Sequence, residues 1–266
     1  MACFESQLLQ FPRQPEPNLA DTRPRGLPGE TEDWSAEDVL RWGFARFGRD
    51  VAIASAFGAE GMVVIDLASR IWSGFRVFTL DTGFFFPETY ELIEKVERRY
   101  RIKVERCRSR LSPAEQAQVH GDALWSRDPD RCCALRKVEP LREKLSGLSA
   151  WVAAIRRDQT AARAATSKIE WDAKFEIVKL NPLADWTYDQ VWSYIHTQHV
   201  PYNPLHDRNY PSIGCTHCTR PVQIGEDLRA GRWSGLGKTE CGLHTRDTLV
   251  RVPAQAPRLQ VSDESR

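Results

Sequence analysis

The chain alternates short apolar segments rich in β-branched residues with stretches of helical period, and no other feature restricts its fold as much. Val51-Ala-Ile-Ala54 predicts a strand, the turn Ser55-Ala-Phe-Gly-Ala-Glu-Gly61 follows, and a helix then runs through Ile71. Phe75–Leu80 predicts a second strand, closed by Asp81-Thr-Gly83. A helix follows over Pro87–Tyr100, with its proline in the first turn, where a missing N–H costs nothing. Ile102–Arg106, Ser149–Ile155 and Phe175–Leu180 are three further predicted strands. Ser35 followed by Asp38 resembles a capping box and starts a helix to about Phe47, with Val39, Leu40, Trp42 and Phe47 available for burial. Strands alternating with helices imply an α/β fold with a doubly wound, mainly parallel sheet. Ligands of such sheets sit beyond the carboxyl ends of the strands, so the turns at 55–61, 81–86 and 156–163 share one crevice.

Residues 1–33, rich in Pro, Gly and charge, are expected to form a loosely ordered arm. The α/β domain is expected over 34–232, and a flexible tail over 233–266. Strand signals weaken from Pro182, Tyr188–His196 reads as a helix, and the remainder is rich in loops. Lys and Arg number 37 against 36 Asp and Glu, a formal charge of +1. That balance argues against a chain that coats nucleic acid or an anionic membrane, while leaving room for a local basic pocket. The apolar run Met62–Ile65 is broken at Asp66, far short of a membrane span. Met1–Ser6 lacks the pattern of a secretion signal, so a cytoplasmic location is expected.

Seven cysteines in such a chain read as metal ligands, a cluster or redox catalysts. Four fall into two pairs, Cys132-Cys133 and Cys215-x-x-Cys218. Two residues between thiolates let both reach one centre, and taken alone Cys215-x-x-Cys218 also suits a zinc knuckle. Adjacent cysteines on a regular helix point about 100° apart, so both can bind one centre only if it is large or the backbone bends. A [4Fe–4S] cube relieves that constraint, and the four together favour iron–sulfur over zinc. Cys107 follows a strand and reads as a packing residue; Cys3 has no assigned role.

The turn with Ser55 and Gly58, and the strand end at Leu80, can offer backbone N–H groups to a phosphate or nucleotide, although such turns also join strand to helix without a ligand. Arg156 and Arg157 at a strand end, with Arg163, are costly to bring together without an anion to share; a solvated charged loop is the plain alternative. Arg229 and Arg232 would lie on one face of a helical turn and could clasp one anion. Lys137, four residues after Cys133, would sit near that thiol on a helix, yet alone it reads as an ordinary exposed lysine. Cys241 is left without an obvious partner, in a segment with Gly235, Gly237 and Gly242; Lys238, His244 and a basic pocket could lower its pKa.

In combination these motifs resemble the sulfonucleotide reductase family, the assimilatory adenylyl-sulfate and phosphoadenylyl-sulfate reductases. The resemblance runs from about Trp34 to His244 and includes Leu-Asp-Thr-Gly at 80–83, Arg-Arg-Asp-Gln at 156–159 and Glu-Cys-Gly-Leu-His at 240–244. It implies the adenine-nucleotide α-hydrolase-like (PP-loop) fold, with the usual Ser-Gly-Gly-x-Asp loop altered at 55–61. It also implies a [4Fe–4S] cluster on Cys132, Cys133, Cys215 and Cys218, as in members that act on the adenylyl substrate. Cys241 would be the nucleophile, with Lys137, Arg229, Arg232 and His244 around the phosphosulfate. The implied reaction converts adenosine 5′-phosphosulfate to sulfite and AMP through an S-sulfocysteine, in sulfate assimilation toward cysteine. Thioredoxin or glutaredoxin would be the electron donor, and a homo-oligomer is compatible with the sequence. The alternatives are the 3′-phosphorylated substrate, an ATP-using tRNA-thiolating enzyme of the same fold, and a zinc-stabilised nucleotide-binding regulator.

Overall fold

In the computed structural model, which describes residues 27–244, the alternation becomes one six-stranded sheet. The strands are Val51–Ala54 (β1), Val77–Asp81 (β2), Val104–Arg108 (β3), Ala150–Ala153 (β4), Ile169–Asp172 (β5) and Ile177–Leu180 (β6), in spatial order β3-β2-β1-β4-β6-β5. All pairings are parallel except β5 with β6. β1 and β4 pair in register from Val51 with Ala150 to Ala54 with Ala153, at the point where the order reverses. The helices are Ala36–Phe47 (α1), Ala59–Ile71 (α2), Pro87–Tyr100 (α3), Pro113–His120 (α4), Leu124–Arg127 (α5), Pro129–Cys133 (α6), Glu139–Leu145 (α7) and Tyr188–Thr197 (α8).

Successive strand residues face opposite sides, which divides the core in two. Val51, Ile53 and Val152 pack with Val39, Leu40, Met62, Ile65, Ile93 and Ile195 from α1, α2, α3 and α8. Ala52, Phe78 and Trp151 pack on the other side with Leu141 and Leu145 of α7. The capping box of Ser35 and Asp38 is present, and Thr187 with Gln190 forms another at α8.

Several strand ends differ from the sequence expectation by one or two residues, and the starts of β3 and β6 do so for a local reason. β3 starts at Val104 rather than Ile102: α3 ends on left-handed Arg101, and the Ile102 N–H is taken by the Glu97 carbonyl. β6 starts at Ile177 because residues 173–176 form a turn, with Glu176 at φ 54°. That turn folds back β5, the antiparallel edge strand the sequence reading did not assign.

Of the expected arm, residues 1–26, with Cys3, lie outside the described residues. Leu27 packs on the core, Thr31 is buried, and Glu32 pairs with Arg157. Residues 245–266 of the expected tail likewise lie outside. Among the described residues no helix is long and apolar enough to cross a membrane.

A buried carboxylate ties three helices together. Asp66 of α2 accepts hydrogen bonds from the hydroxyls of Tyr100 and Tyr194 and from Arg70 Nε, each at 2.9 Å. Asp66→Ala should lower the unfolding free energy by about 2–3 kcal/mol, because it strands both hydroxyls. Glu94→Ala, which removes the exposed partner of Arg98, should cost less than about 0.5 kcal/mol. Urea titrations of the two variants check the contrast, and equal losses would contradict it.

Candidate active site

The carboxyl ends of β1, β2 and β4 open into one cavity, at the switch point where such sheets bind ligands. Ser55, Gly58, Leu80, Lys137, Arg156, Arg229, Arg232, Cys241 and His244 all line it, although they are spread over 190 residues of chain. Gly58 caps α2 without a side-chain hydrogen bond, so the first N–H groups of a 13-residue helix stay available at the cavity. Gly61 is required there: a Cβ at this position would lie 2.5 Å from Ser55 Oγ. That hydroxyl is already engaged, accepting from the Phe57 N–H at 3.0 Å and holding buried Phe57 at φ 59°.

In the second turn Leu80 faces the cavity while its neighbours build structure. Burial opposes the charge of Asp81, but hydrogen bonds from the Tyr90 hydroxyl, Gly83 N–H and Arg108 outweigh it and hold its pKa below the ordinary value. The Thr82 hydroxyl lies 3.3 Å from Cys215 Sγ, and the Phe84 carbonyl accepts from Thr216 N–H. The Cys215 loop is thereby fastened to the end of β2.

The two arginines of the third turn part company. Arg156 is almost fully buried, and its guanidinium is occupied by Glu60 at 3.1 Å and Asp158 at 2.5 Å. Arg157 turns away to the Thr166 carbonyl and Glu32. Their charge is met by carboxylates of the chain itself. Arg229 and Arg232 do converge, on a turn rather than a helix, and both donate to Ser212 Oγ, at 3.5 and 3.1 Å. Gly214 makes room for Arg232: a Cβ there would meet Arg232 Nη2 at 2.3 Å.

The four paired cysteines line a second, smaller cavity with Phe84, Trp125, Arg136, Lys137 and His217. Cys132 and Cys133 end α6, and Ala134–Val138 forms a π-helical turn before α7. Pro140 explains the widening, since it cannot donate to the carbonyl four residues back and its ring crowds that position. The widening begins directly after the two cysteines, which themselves keep helical backbone, with Cys133 at φ −66° and ψ −37°. Burial pushes the thiols of Cys132 and Cys218 up to about 11. Among the described residues no three Cys, His, Asp or Glu side chains converge as a single metal ion would require.

The donor set nevertheless fits an anionic, thiolate-ligated group. Arg136 is buried over the Phe84 ring, donates Nη1 to the Thr82 carbonyl at 2.8 Å, and leaves Nε and Nη2 unpartnered beside the thiols. A buried guanidinium in that state calls for nearby negative charge. Lys137 lines both cavities. Burial opposes its charge, but Cys215, Cys133 and Cys241 outweigh this and hold the ammonium above its ordinary pKa.

Cys241 is half-buried in the larger cavity, between fixed neighbours. Lys238, expected to activate the thiol, is paired with Asp130. His244, expected as a cation, stacks on Trp151 with rings 7° from parallel. Burial and the nearby cations Lys179, Arg163, Arg229 and Lys174 push its pKa well below the ordinary value, so the ring is neutral. Glu240 is buried; burial opposes its charge, but Arg163, Arg229 and the Thr160 hydroxyl hold its pKa below the usual range. Arg136, Ser212 and Trp233 were not singled out from sequence. Arg136 directly follows Cys-Cys-Ala-Leu and precedes Lys137, a placement that could have marked it. Cys107 is half-buried against the second core beside Leu80, with its thiol pushed up to about 11 by burial, as suits packing.

The family model described as phosphoadenosine phosphosulfate reductase domain matches residues 50–221. An adenosine 5′-phosphosulfate reductase of Geobacillus kaustophilus is 48% identical over 219 residues, covering 82% of this chain and 93% of its own length. Adenosine 5′-phosphosulfate reductase 2 of Bacillus subtilis is 49% identical over 208 residues, covering 78% and 88%. Among solved structures, the phosphoadenylyl-sulfate reductase of Candida auris, a phosphate complex, superposes with a TM-score of 0.62 at 34% identity, over 71% of this chain and 91% of that one. An FMN adenylyltransferase of Candida glabrata, with a TM-score of 0.53 and 15% identity over 77% of this chain and 76% of that one, shares the fold alone. The motifs read from sequence, the cavity they line and these relatives agree, and the chain belongs to the phosphoadenosine phosphosulfate reductase family.

Proposed function

We propose that this protein reduces adenosine 5′-phosphosulfate to sulfite and AMP, in sulfate assimilation, with Cys241 as the attacking thiol. The reading is carried by one observation: the Cys241 thiol lines the same cavity as the nucleotide-type turn 55–61 and the cations Lys137, Arg229 and Arg232. The names of the relatives favour the adenylyl substrate over its 3′-phosphorylated form.

The thiolate attacks the sulfur of the sulfo group, the bond from sulfur to the bridging phosphate oxygen breaks, and AMP leaves with the electron pair. Charge developing on that oxygen is met by Lys137, Arg229 and Arg232. The product on the protein is Cys241–S–SO₃⁻. A thiolate of a dithiol reductant such as thioredoxin then attacks Cys241 Sγ and releases sulfite. The second thiol of the reductant resolves the mixed disulfide and restores Cys241. Access for that partner requires residues 233–244 to open, and the glycines at 235, 237 and 242, all at positive φ, suit such a tail.

Cys132, Cys133, Cys215 and Cys218 would hold a [4Fe–4S] cluster. When bound, it would tie α6 to the 215–218 loop and balance the charge of Arg136 and Lys137. Neither transfer step draws an electron from it.

Mass spectrometry after incubation with adenosine 5′-phosphosulfate and no reductant should show one added sulfo group, located on Cys241. Cys241→Ser should gain none while keeping its brown colour, whereas Cys133→Ser should lose that colour. Sulfite release by Cys241→Ser at the wild-type rate would sink the reading. In a competition between the adenylyl and 3′-phosphoadenylyl substrates, the former should be turned over preferentially.

The tail should also undock in acid. The docked His244 binds a proton less readily than the exposed ring, whose pKa is about 6.5. Protons therefore favour release as the pH falls through about 6.5, by at most about tenfold per unit, and this group has no effect well above it. Hydrogen exchange over residues 240–244, normalised to intrinsic rates, should lose protection between pH 7.5 and 5.5 in the wild type and less in His244→Phe. Identical profiles would show that His244 does not titrate on release.

A further inference from the structure

Glu240, next to the thiol of the proposed reaction, is buried in a segment with no regular secondary structure. Its carboxylate accepts Arg163 Nε at 2.8 Å and Nη2 at 2.7 Å, a two-pronged pair in which both side chains are under a tenth exposed. The Thr160 hydroxyl donates to the same carboxylate at 2.9 Å, and Arg229 lies 3.8 Å away. Arg229 also donates to the Thr239 carbonyl at 3.1 Å. Two separate loops thus grip the two residues before Cys241. Beyond it, Lys174 donates to the Gly242 carbonyl and His244 stacks on Trp151.

The grip continues to the nucleotide-type turn. Arg163 Nη1 donates to Gln159 Oε1 at 2.5 Å, and Gln159 Nε2 donates to Glu60 Oε1 at 2.9 Å, in the first turn of α2. A line of hydrogen bonds therefore joins the end of α2 that faces the cavity to the residue preceding the thiol. A buried ion pair stabilises a fold little better than apolar packing, but it fixes geometry, and it is costly to break on one side only.

We propose that Glu240 is a positioning residue: through its pair with Arg163 it holds the tail closed, with Cys241 fixed in the cavity for attack. The proposal rests on Cys241 being the attacking thiol. The same pair is the point at which the tail lets go when the reductant needs the sulfur. The opposite role is also physically defined. If the Glu240 carboxylate instead occupied the place of the substrate anion on Arg163, removing its charge would tighten substrate binding and speed transfer.

The test uses the full-length holoenzyme and three readouts: hydrogen exchange over residues 239–244, the single-turnover rate of sulfo transfer to Cys241, and AMP affinity by calorimetry. Glu240→Gln should exchange faster over that segment and transfer at least about tenfold more slowly, with AMP affinity within about twofold of wild type. The exchanged pair, Glu240→Arg with Arg163→Glu, should regain protection relative to either single variant. An unchanged or faster transfer rate in Glu240→Gln, or no gain in the exchanged pair, overturns the proposal. If Glu240→Gln loses AMP binding through misfolding, Arg163→Lys decides: it keeps the charge but not the two-pronged geometry. Partial loss of both protection and rate supports the latch, and wild-type values refute it. If the wild type itself takes no sulfo group on Cys241, the proposed reaction fails, while the exchange data still judge the latch.

Discussion

The central position of β1, paired in parallel with β2 on one side and β4 on the other, is the constraint from which the rest of the site follows. Parallel neighbours send their carboxyl ends the same way, and their helices leave toward opposite faces only where the strand order reverses. A crevice is left at that point, so residues 55–61, 80 and 153–156 meet there whatever their side chains. The sheet itself contributes little chemistry. β1 and β4 are buried on both faces, as parallel strands covered by helices must be. Reactive groups therefore come from the segments beyond the sheet: the turn after α6, the loops at 212–232, and the tail.

Charge decides how those segments are arranged. Arg136 and Lys137 lie on one π-helical turn between the thiol-lined cavity and the nucleotide-sized one. Arg136 points its unpartnered nitrogens among the paired cysteines, and Lys137 reaches both cavities. Lys137, which lines both cavities, links them electrostatically. Arg156 shows the opposite arrangement: its guanidinium is neutralised within the chain by Glu60 and Asp158.

Much of this was legible in the sequence because it depends on local pattern. The alternation, the Ser35 capping box and the proline at the start of α3 are all short-range signals, and each element formed where expected to within a few residues. The nine residues assigned to catalysis and substrate line one cavity because strand ends and family motifs both point there. α4 escaped although its Ser112–Glu115 capping box and first-turn Pro113 are local signals, and the other misses depend on distant partners. β5 carries only Ile-Glu-Trp-Asp and is a strand because β6 presents an edge to it. Arg156 finds Glu60 across 96 residues, and Arg163 finds Glu240 across 77. His244 is neutral because folding surrounds it with cations and an indole, which no spacing in its own segment reveals.

The tail is held in a way that suits the chemistry proposed for it. One sulfur must first be buried against a nucleotide and then offered to a macromolecular reductant, so neither arrangement can be too deep in free energy. An apolar tail with several large anchors would dock strongly, with nothing to signal release. Here the residues flanking Cys241 contribute one charged pair, carbonyls on basic side chains, one stacked ring and one apolar side chain, Leu243, packed on the second core. Such contacts depend on geometry and on the charge of the cavity, and that charge changes when an anionic nucleotide enters or leaves. On the proposed reading, a hold that rests mainly on polar contacts would make closure of the tail responsive to the occupant of the cavity.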